Sequence, residues 1–545
     1  MVNLGIDFGS TYTTVSVFDD GKPTNVPPDN NTFNYPSLVA YDGRRYYCGA
    51  SARNRMGQPD VRIYRGFKML LNQQMKKEEL LKRGYDDQNT PEEITFRFLK
   101  YVIETTLENL VQDKVGTLIL GAPECWFQTF ETADARDSLR KICSRMPELV
   151  EKVRIISEPT CAAASCVWNY EKTNPKFDGN ILIIDYGGGT LDTAVVSVSH
   201  HSDKLKIKPE ARSGAGENHD GEIGKAGIAY QENVLKRAVC QIPGISPDEI
   251  QYTESFSAAL KKLEDILISD QRTIRDIFEE CLLDPSGLNE EMTTLLYEGN
   301  RISITYQMLK DSYEEVIRPV LKKVLDETVK DIENINELYI ALAGGFCNFY
   351  LVQNQVEQYF GMGNIRFSTH SLYYPKNERE KAVSHGTALF AEGIISLSHV
   401  AEYGIGMYST YEDGTVCKNY AIRCGQEYTP NTVYFAPDIH GDPSPMVLLH
   451  KDRFILNFSR NPDNYQPMRP INAFSHRLNQ FNGEYCFFVG FSFDEDEQIS
   501  VHLYSYENTP EYRGPSGTPL AVIHLKTLKE SFENTVINRR ESHEI

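Results

Sequence analysis

The sequence predicts a two-lobed α/β module followed by a β-rich domain, on three observations. A strand, a glycine-bearing tip preceded by an acid, and a second strand occur twice, a further glycine pair closes a strand near residue 344, and the chain changes character after residue 402. With 545 residues, the chain is several times the commonest domain length, so more than one core is expected. It carries 56 Lys and Arg against 76 Asp and Glu, a formal net charge of −20 that opposes attraction to nucleic acid or to an anionic membrane surface. Any phosphate it binds must be captured locally.

The 41% hydrophobic and 24% charged content supplies real cores and argues against disorder. No run approaches the ~18 apolar residues of a membrane span, and Asp7 falls where a secretory signal would be basic and then apolar. Eleven cysteines, an odd number with no Cys-x-x-Cys, indicate neither a disulfide framework nor a zinc site. A cytoplasmic protein is expected.

The first hairpin reads Leu4-Gly-Ile-Asp7-Phe-Gly9-Ser10-Thr11-Tyr12-Thr-Thr-Val and the second Ile181-Leu-Ile-Ile-Asp185-Tyr-Gly187-Gly188-Gly189-Thr190-Leu-Asp192. Tight turns use Gly, Asp, Ser and Thr for their own sake, but two copies in one register suggest two lobes of similar build. The strand Leu338-Tyr-Ile-Ala-Leu-Ala343 ends in Gly344-Gly345 before a helical pattern from about Tyr350. Glycine corners at strand ends let backbone N–H groups approach phosphate oxygens, so three of them converging point to a nucleotide polyphosphate. Asp7, Asp185 and Asp192 cannot face a triphosphate directly, since all are acceptors and all are negative. A hydrated Mg2+ between them resolves the conflict, because it keeps most of its waters and is held by a few carboxylates and the phosphates. Glu158, in Ser157-Glu158-Pro159-Thr160, is a candidate for holding a water in line; the competing reading is an acid placed for a helix N-terminus. No Gly-x-x-x-x-Gly-Lys-Ser/Thr and no strand-borne Gly-x-Gly-x-x-Gly occurs, which excludes a P-loop and disfavours a dinucleotide fold.

Taken in order, Asp7-Phe-Gly-Ser-Thr-Tyr12, Tyr35-Pro-Ser37, Lys68, Gly121-Ala-Pro123, Glu158-Pro-Thr-Cys-Ala-Ala, Asp185-Tyr-Gly-Gly-Gly-Thr-Leu-Asp192 and Ala343-Gly-Gly345 resemble the ATPase domain of the 70-kilodalton heat-shock chaperones. That domain belongs to the actin, sugar-kinase and chaperone superfamily. The resemblance implies an actin-like domain of duplicated ribonuclease-H-like folds over residues 1–393, a linker over 394–402, a β-rich, sandwich-like domain over 403–527 and a short helical tail over 528–545. It implies a magnesium-dependent ATPase that binds ATP and ADP and leaves room for K+, with Lys68, Glu158, Asp185, Asp7 and Thr190 as catalytic groups. Gly9, Ser10, Thr11 and Tyr12 would line the phosphates from one lobe, and Gly187, Gly188 and Gly189 from the other. Gly216, Lys261, Lys262, Gly344, Gly345 and Asn348 would complete the nucleotide pocket, and Asp7, Asp185 and Asp192 would surround the metal. Pro123 matches a proline that relays nucleotide state in that family.

Departures carry weight too. Asn348 stands where the family usually has an arginine stacking on adenine, Gly216 lacks its usual neighbouring glycine, and Ile394-Ile-Ser-Leu-Ser-His-Val-Ala-Glu402 is an altered linker. The altered linker puts J-domain co-chaperone coupling in doubt. Short alternating runs over 403–527, with Glu484–Phe493 and Ile499–Tyr506 reading as a hairpin, suggest a β-sandwich. Its place after the ATPase domain and its Tyr403-Gly-Ile-Gly-Met407 start are similar to the family's peptide-binding domain, which implies unfolded peptides or one protein client as its partner. Beyond it only Leu525–Ile537 reads as an amphipathic helix, so the sequence lacks the family's full helical lid. Three functions stay open at this point: a hydrolysing chaperone relative, a nucleotide-sensing scaffold, and a small-molecule kinase.

Overall fold

The computed structural model describes residues 1–524 apart from 30–31, 72–76, 129, 202–203, 216–225, 247–252, 331, 333–334, 362–375, 402–403, 411–415, 424, 438–442, 444, 448–454, 460–467, 473–485, 496–498, 510–511 and 516. The chain divides into two compact units, Met1–Ser396 and Leu397–Ile545. The tail expected over 528–545, the amphipathic stretch Leu525–Ile537 and Gly216 lie outside the described residues.

The first unit repeats one plan twice. In its first sheet, Lys22–Asn25, Tyr12–Asp19, Val2–Phe8, Val115–Ala122 and Val150–Ser157 lie in that order. The first three form an antiparallel meander and the last two join in parallel, Asp7 opposite Gly121 and Gly121 opposite Ile156. Its second sheet runs Tyr339–Ala343, Gly179–Tyr186, Leu191–His201, Lys204–Ala215, with the edge strand Ile395–Leu397. Here Gly179–Tyr186 is antiparallel to Leu191–His201 and parallel to Tyr339–Ala343, with Asp185 opposite Ala343. The central strands Leu182, Ile184 and Leu4, Ile6 are fully buried, as strands covered on both faces must be. Parallel neighbours are reached through helices, which Pro91–Leu110 and Phe130–Cys143 supply in the first sheet.

Each lobe has its own apolar core, one centred on Phe8, Phe98 and Trp126 and the other on Tyr186, Tyr230 and Leu263. The linker expected over 394–402 is in part sheet: Ile395 is buried, and the Ser396 hydroxyl donates to the Leu205 carbonyl at 3.2 Å. Alternation of apolar residues in Ile395–Leu397 lets this segment close an edge instead of spanning a gap.

The second unit is antiparallel throughout its described strands. One sheet orders Val416–Ile422, Gly404–Thr410, Ile455–Ser459 and Met468–Asn472; the other is built on Cys486–Phe493 and Ile499–Thr509, which pair from Phe487 with Ser505 to Phe493 with Ile499. Phe488, Phe491, Val501 and Leu503 are buried, so the hairpin read from alternation is the centre of this sheet.

Gly386 sits where the helix Ala382–Ala391 meets the helix Glu158–Glu171; a Cβ there would lie 1.8 Å from the Cys161 carbonyl oxygen. Overpacking of this kind costs about 1–3 kcal/mol when side chains can yield, and here the obstacle is backbone. Gly386→Ala is therefore expected to lower the thermal midpoint of the full chain by several degrees, read by Trp fluorescence, while Gly425→Ala, where nothing lies within 4 Å of a Cβ and the cost is only that of a side chain at φ +79°, is expected to lower it by less.

Candidate nucleotide site

The two hairpin tips meet. A Cβ on Gly188 would lie 1.8 Å from the Thr11 hydroxyl oxygen and one on Gly189 2.2 Å from that of Ser10, so only glycine allows the second tip to close on the first. The Gly187 N–H donates to the Thr190 carbonyl at 3.0 Å, which makes the second tip a tight turn. Tyr35–Pro36–Ser37 braces the first: the Ser37 hydroxyl donates to the Gly9 carbonyl at 2.6 Å and its N–H to the Thr11 carbonyl at 2.8 Å. The third corner, Gly344, has φ of +77° and would place a Cβ 2.5 Å from Asp185 Oδ1, so any side chain would be both strained and obstructed.

These corners border a cavity of about 700 Å3. It is lined by Asp7, Gly9, Ser10, Thr11, Tyr12, Lys68, Glu158, Asp185, Gly187, Gly188, Gly189, Thr190, Gly344 and Gly345, which the sequence had pointed to across 340 residues of chain. Lys68 lies in a short 3-10 turn, Phe67–Leu70, and is 2% exposed; its ammonium donates to Glu158 Oε1 and sits 5.6 Å from the Phe8 ring centre and 5.8 Å from that of Trp126. Glu158 is the first residue of its helix, with Pro159 next, and its burial is made possible by the small run Cys161–Ser165 behind it. Glu158 thus opens a helix and lines the cavity.

Acid outnumbers base at this point. Burial, then the charge of Glu158, pushes the Asp7 carboxyl up to about 8 against the opposing pull of Lys68. Burial, then Glu158 and Asp7, likewise raises Asp185 well above the carboxylate range. For Lys68, burial acts to lower the ammonium's pKa, but Glu158, Asp7 and Asp192 outweigh it and hold the charge in place.

Four residues expected at the site do not line the cavity. Asp192, directly opposite Asp185 on the neighbouring strand, is fully buried behind it and accepts from the Glu124 N–H at 2.6 Å. On the helix Glu254–Ser269 the buried stripe runs through Phe256, Leu260, Leu263 and Leu267; Glu264, Asp265 and Ile268 reach the cavity, Lys261 lies one turn before them on the same face, and Lys262 lies off that face. Lys261 instead donates to the Arg53 carbonyl at 3.1 Å, and Lys262 is exposed. Asn348 is held between Arg379, which donates to its Oδ1 at 3.3 Å, and Glu380, which accepts from its Nδ2 at 3.3 Å.

The sequence reading missed Arg53, whose guanidinium donates to the Tyr12 hydroxyl at 2.9 Å and pairs with Glu264 and Asp265. It also missed the apolar end of the cavity, where Phe346 and Phe349 stack at 5.5 Å beside Tyr230, Leu267 and Ile268. The stripe that buries Leu260, Leu263 and Leu267 was the available signal for the helix register.

Among the described residues no group of three or more His, Cys, Asp or Glu is arranged to hold a metal ion by itself. The donors are carboxylate and hydroxyl oxygens, the class that suits Mg2+, and Asp192 Oδ2 is buried without a hydrogen-bond partner. That set fits a hydrated cation which takes its remaining ligands from phosphate and water.

Comparison with known proteins agrees with this architecture. The family model for the Hsp70 protein matches residues 3–395. A "Chaperone protein DnaK" of Ureaplasma parvum is 25% identical over 371 residues, which covers 66% of this chain and 54% of that protein. One of Mycoplasmopsis agalactiae is 26% identical over 358 residues, covering 65% of this chain and 54% of its own length, and the "Heat shock cognate HSP70 protein" of Trypanosoma brucei brucei is 22% identical over 536 residues, 91% of this chain and 72% of that one. The chain thus spans about half the length of the DnaK relatives it matches. No helix among the described residues is long and apolar enough to cross a membrane. Two lobes of one plan, glycine tips closing on a buried lysine and acids, and a family match over 3–395 lead to one conclusion: the chain belongs to the Hsp70 family.

Proposed function

We propose that the chain binds Mg·ATP in this cavity and hydrolyses it slowly, and that nucleotide state is coupled to capture of unfolded peptide or a protein client by the β-rich second unit. The observation that carries the reading is the buried Lys68–Glu158 pair standing among Asp7, Asp185 and three glycine corners. Backbone N–H groups of the Gly9–Thr11 and Gly187–Gly189 tips, with the hydroxyls of Ser10, Thr11 and Thr190, cradle the phosphates. Asp7 and Asp185, with Asp192 behind them, would hold hydrated Mg2+, which when bound neutralises phosphate charge. Lys68 donates to the γ-phosphate and fixes the Glu158 carboxylate, which accepts a hydrogen bond from water aimed at the γ-phosphorus. Water attacks, ADP leaves and orthophosphate forms; positioning and charge neutralisation supply the acceleration, with no covalent intermediate.

A second reading, a nucleotide-sensing scaffold with negligible turnover, draws on the base end of the cavity. Lys261, Lys262 and Asn348 stand outside the cavity's lining, and Arg53, a cation that does line it, is engaged by Glu264 and Asp265. The buried hydrolytic set favours the first reading, because a sensor gains nothing from keeping a lysine desolvated against a glutamate. A kinase would need an acceptor other than water, and phosphate release with ATP alone would argue against it.

Lys68→Met is expected to cut phosphate release by about a hundredfold or more, with ADP affinity by calorimetry changed far less. Unchanged turnover would remove Lys68 from the chemistry. Steady-state hydrolysis measured with and without an unfolded peptide decides coupling: acceleration supports the chaperone reading, and indifference supports the scaffold.

Asp7 yields a pH prediction with a definite sign. Its folded pKa of about 8 lies above the ordinary 3.8, so between these values the folded chain holds a proton that the unfolded chain has released. Stability from this group is therefore lost as pH rises from about 4 to 8. The nucleotide-free chain is expected to melt lower at pH 8 than at pH 5.5, and Asp7→Asn to flatten that slope; an identical slope in the variant would clear Asp7 of the effect.

A further inference from the structure

The polar groups at the base end of the cavity are largely committed within the protein. Arg53 is engaged by Glu264 and Asp265, and the Tyr230 hydroxyl donates to the Leu309 carbonyl at 3.3 Å. The Asp265 side chain is 55% exposed, so water competes with any base edge for its second oxygen. The amides of Gln231 and Gln271 also line the cavity; each carries a donor and an acceptor and suits either kind of edge atom by turning.

The apolar groups there are fixed and open. Phe346 begins the short turn Phe346–Asn348 directly after Gly344–Gly345, so the corner that borders the phosphate end also sets where this ring stands. The ring lies 9° from parallel with Phe349 at 5.5 Å, while Tyr186 meets it edge-on at 5.1 Å and Tyr230 at 45° and 5.6 Å. Three aromatic neighbours hold it in one orientation, yet it is only half-buried and lines the cavity. Ile268, on the helix Glu254–Ser269, lines it as well and is 52% exposed. A flat ring covers apolar surface of this kind, and every base has a π-face to offer.

We propose that Phe346 is the stacking platform for the base, and that the cavity takes purine nucleotides as a class, guanine and hypoxanthine as well as adenine. This inference rests on the nucleotide reading of the cavity and adds the substrate class to it. A buried donor that must be paired separates right from wrong ligands by orders of magnitude, whereas stacking separates them by the ring area covered. Purines are therefore favoured over pyrimidines, with little distinction among the purines themselves.

The test is calorimetric titration of the full chain, in Mg2+, with ADP, GDP, IDP, CDP and UDP, and with pyrophosphate as a probe that has no base. The three purine nucleotides are expected to agree within about fivefold, with CDP and UDP weaker than all three. Phe346→Leu keeps an apolar side chain and removes the π-face; it is expected to weaken ADP and GDP together by about tenfold and to leave pyrophosphate unchanged. A larger gap between purines overturns the proposal, because it means that an edge is being read, and so do pyrimidines bound as tightly as purines. Phe346→Leu that binds ADP as the parent does, or that loses ADP and pyrophosphate equally, overturns it too. Should that variant fail to fold, the nucleotide series on the parent chain decides alone. Pyrophosphate bound as tightly as any nucleotide overturns this inference and spares the phosphate site; no binding of pyrophosphate or of any nucleotide overturns the nucleotide reading beneath it.

Discussion

One ammonium group holds the candidate site together. Around it stand Asp7, Glu158, Asp185 and, one layer back, Asp192, four acids drawn from both lobes. Without Lys68 these carboxylates would face one another in a setting too dry to screen them: burial first, and then the neighbouring acids, push Asp7, Asp185 and Asp192 up, while the same acids keep the lysine charged against its own burial. The pair Lys68–Glu158 is not there for stability, since a buried ion pair can be replaced by apolar groups of similar volume at little or no loss. It sets a geometry. Phe8 and Trp126 fill the space beside the ammonium, so its position is fixed by packing as well as by charge.

The phosphate end of the cavity was legible in the sequence because it is built from short motifs. A hairpin tip puts its acid, its glycines and its hydroxyls within a few residues, and the fold brings the tips together without moving anything inside them. Asp7 to Tyr12, Asp185 to Thr190 and Gly344–Gly345 could be read as units for that reason. The base end is built differently: it takes one or two side chains from each of several helices, and their aim depends on helix rotation. Glu264 and Asp265 lie about one turn beyond Lys261 on Glu254–Ser269, so a placement one turn out exchanges lysine for acid and reverses the charge presented to the cavity. Asn348 failed for another reason, since its direction is set by Arg379 and Glu380, more than thirty residues away and invisible to any local pattern.

Arg53 belongs to the same class of long-range feature. It ties Tyr12, at the first phosphate tip, to Glu264 and Asp265 on the helix that walls the base end, and Lys261 returns the contact through the Arg53 carbonyl. The side chain is only 16% exposed, so these contacts are less screened than those of a surface pair. The two walls of the cavity are thereby fastened by polar contacts that water can replace, while the tips are fastened by glycine close approach that nothing can replace. Opening the cavity should cost little at the Arg53 end and much at the Gly188–Thr11 end.

That asymmetry bears on how the proposed reaction could be selective. With Arg53 engaged by Glu264 and Asp265, the apolar wall of the base end is Phe346, Phe349, Leu267 and Ile268, whose surfaces stack on any base and read none of its edges. Discrimination by an apolar pocket is worth far less than discrimination by a buried donor that must be paired, because only the latter leaves something unsatisfied when the wrong ligand enters. On the proposed reading, affinity and chemistry both reside with the phosphates, where the backbone tips, Lys68 and the acids are concentrated, and the base serves mainly to fill an apolar wall. The features that make this chain a member of its family and the features that set it apart are thus separated along the length of one cavity.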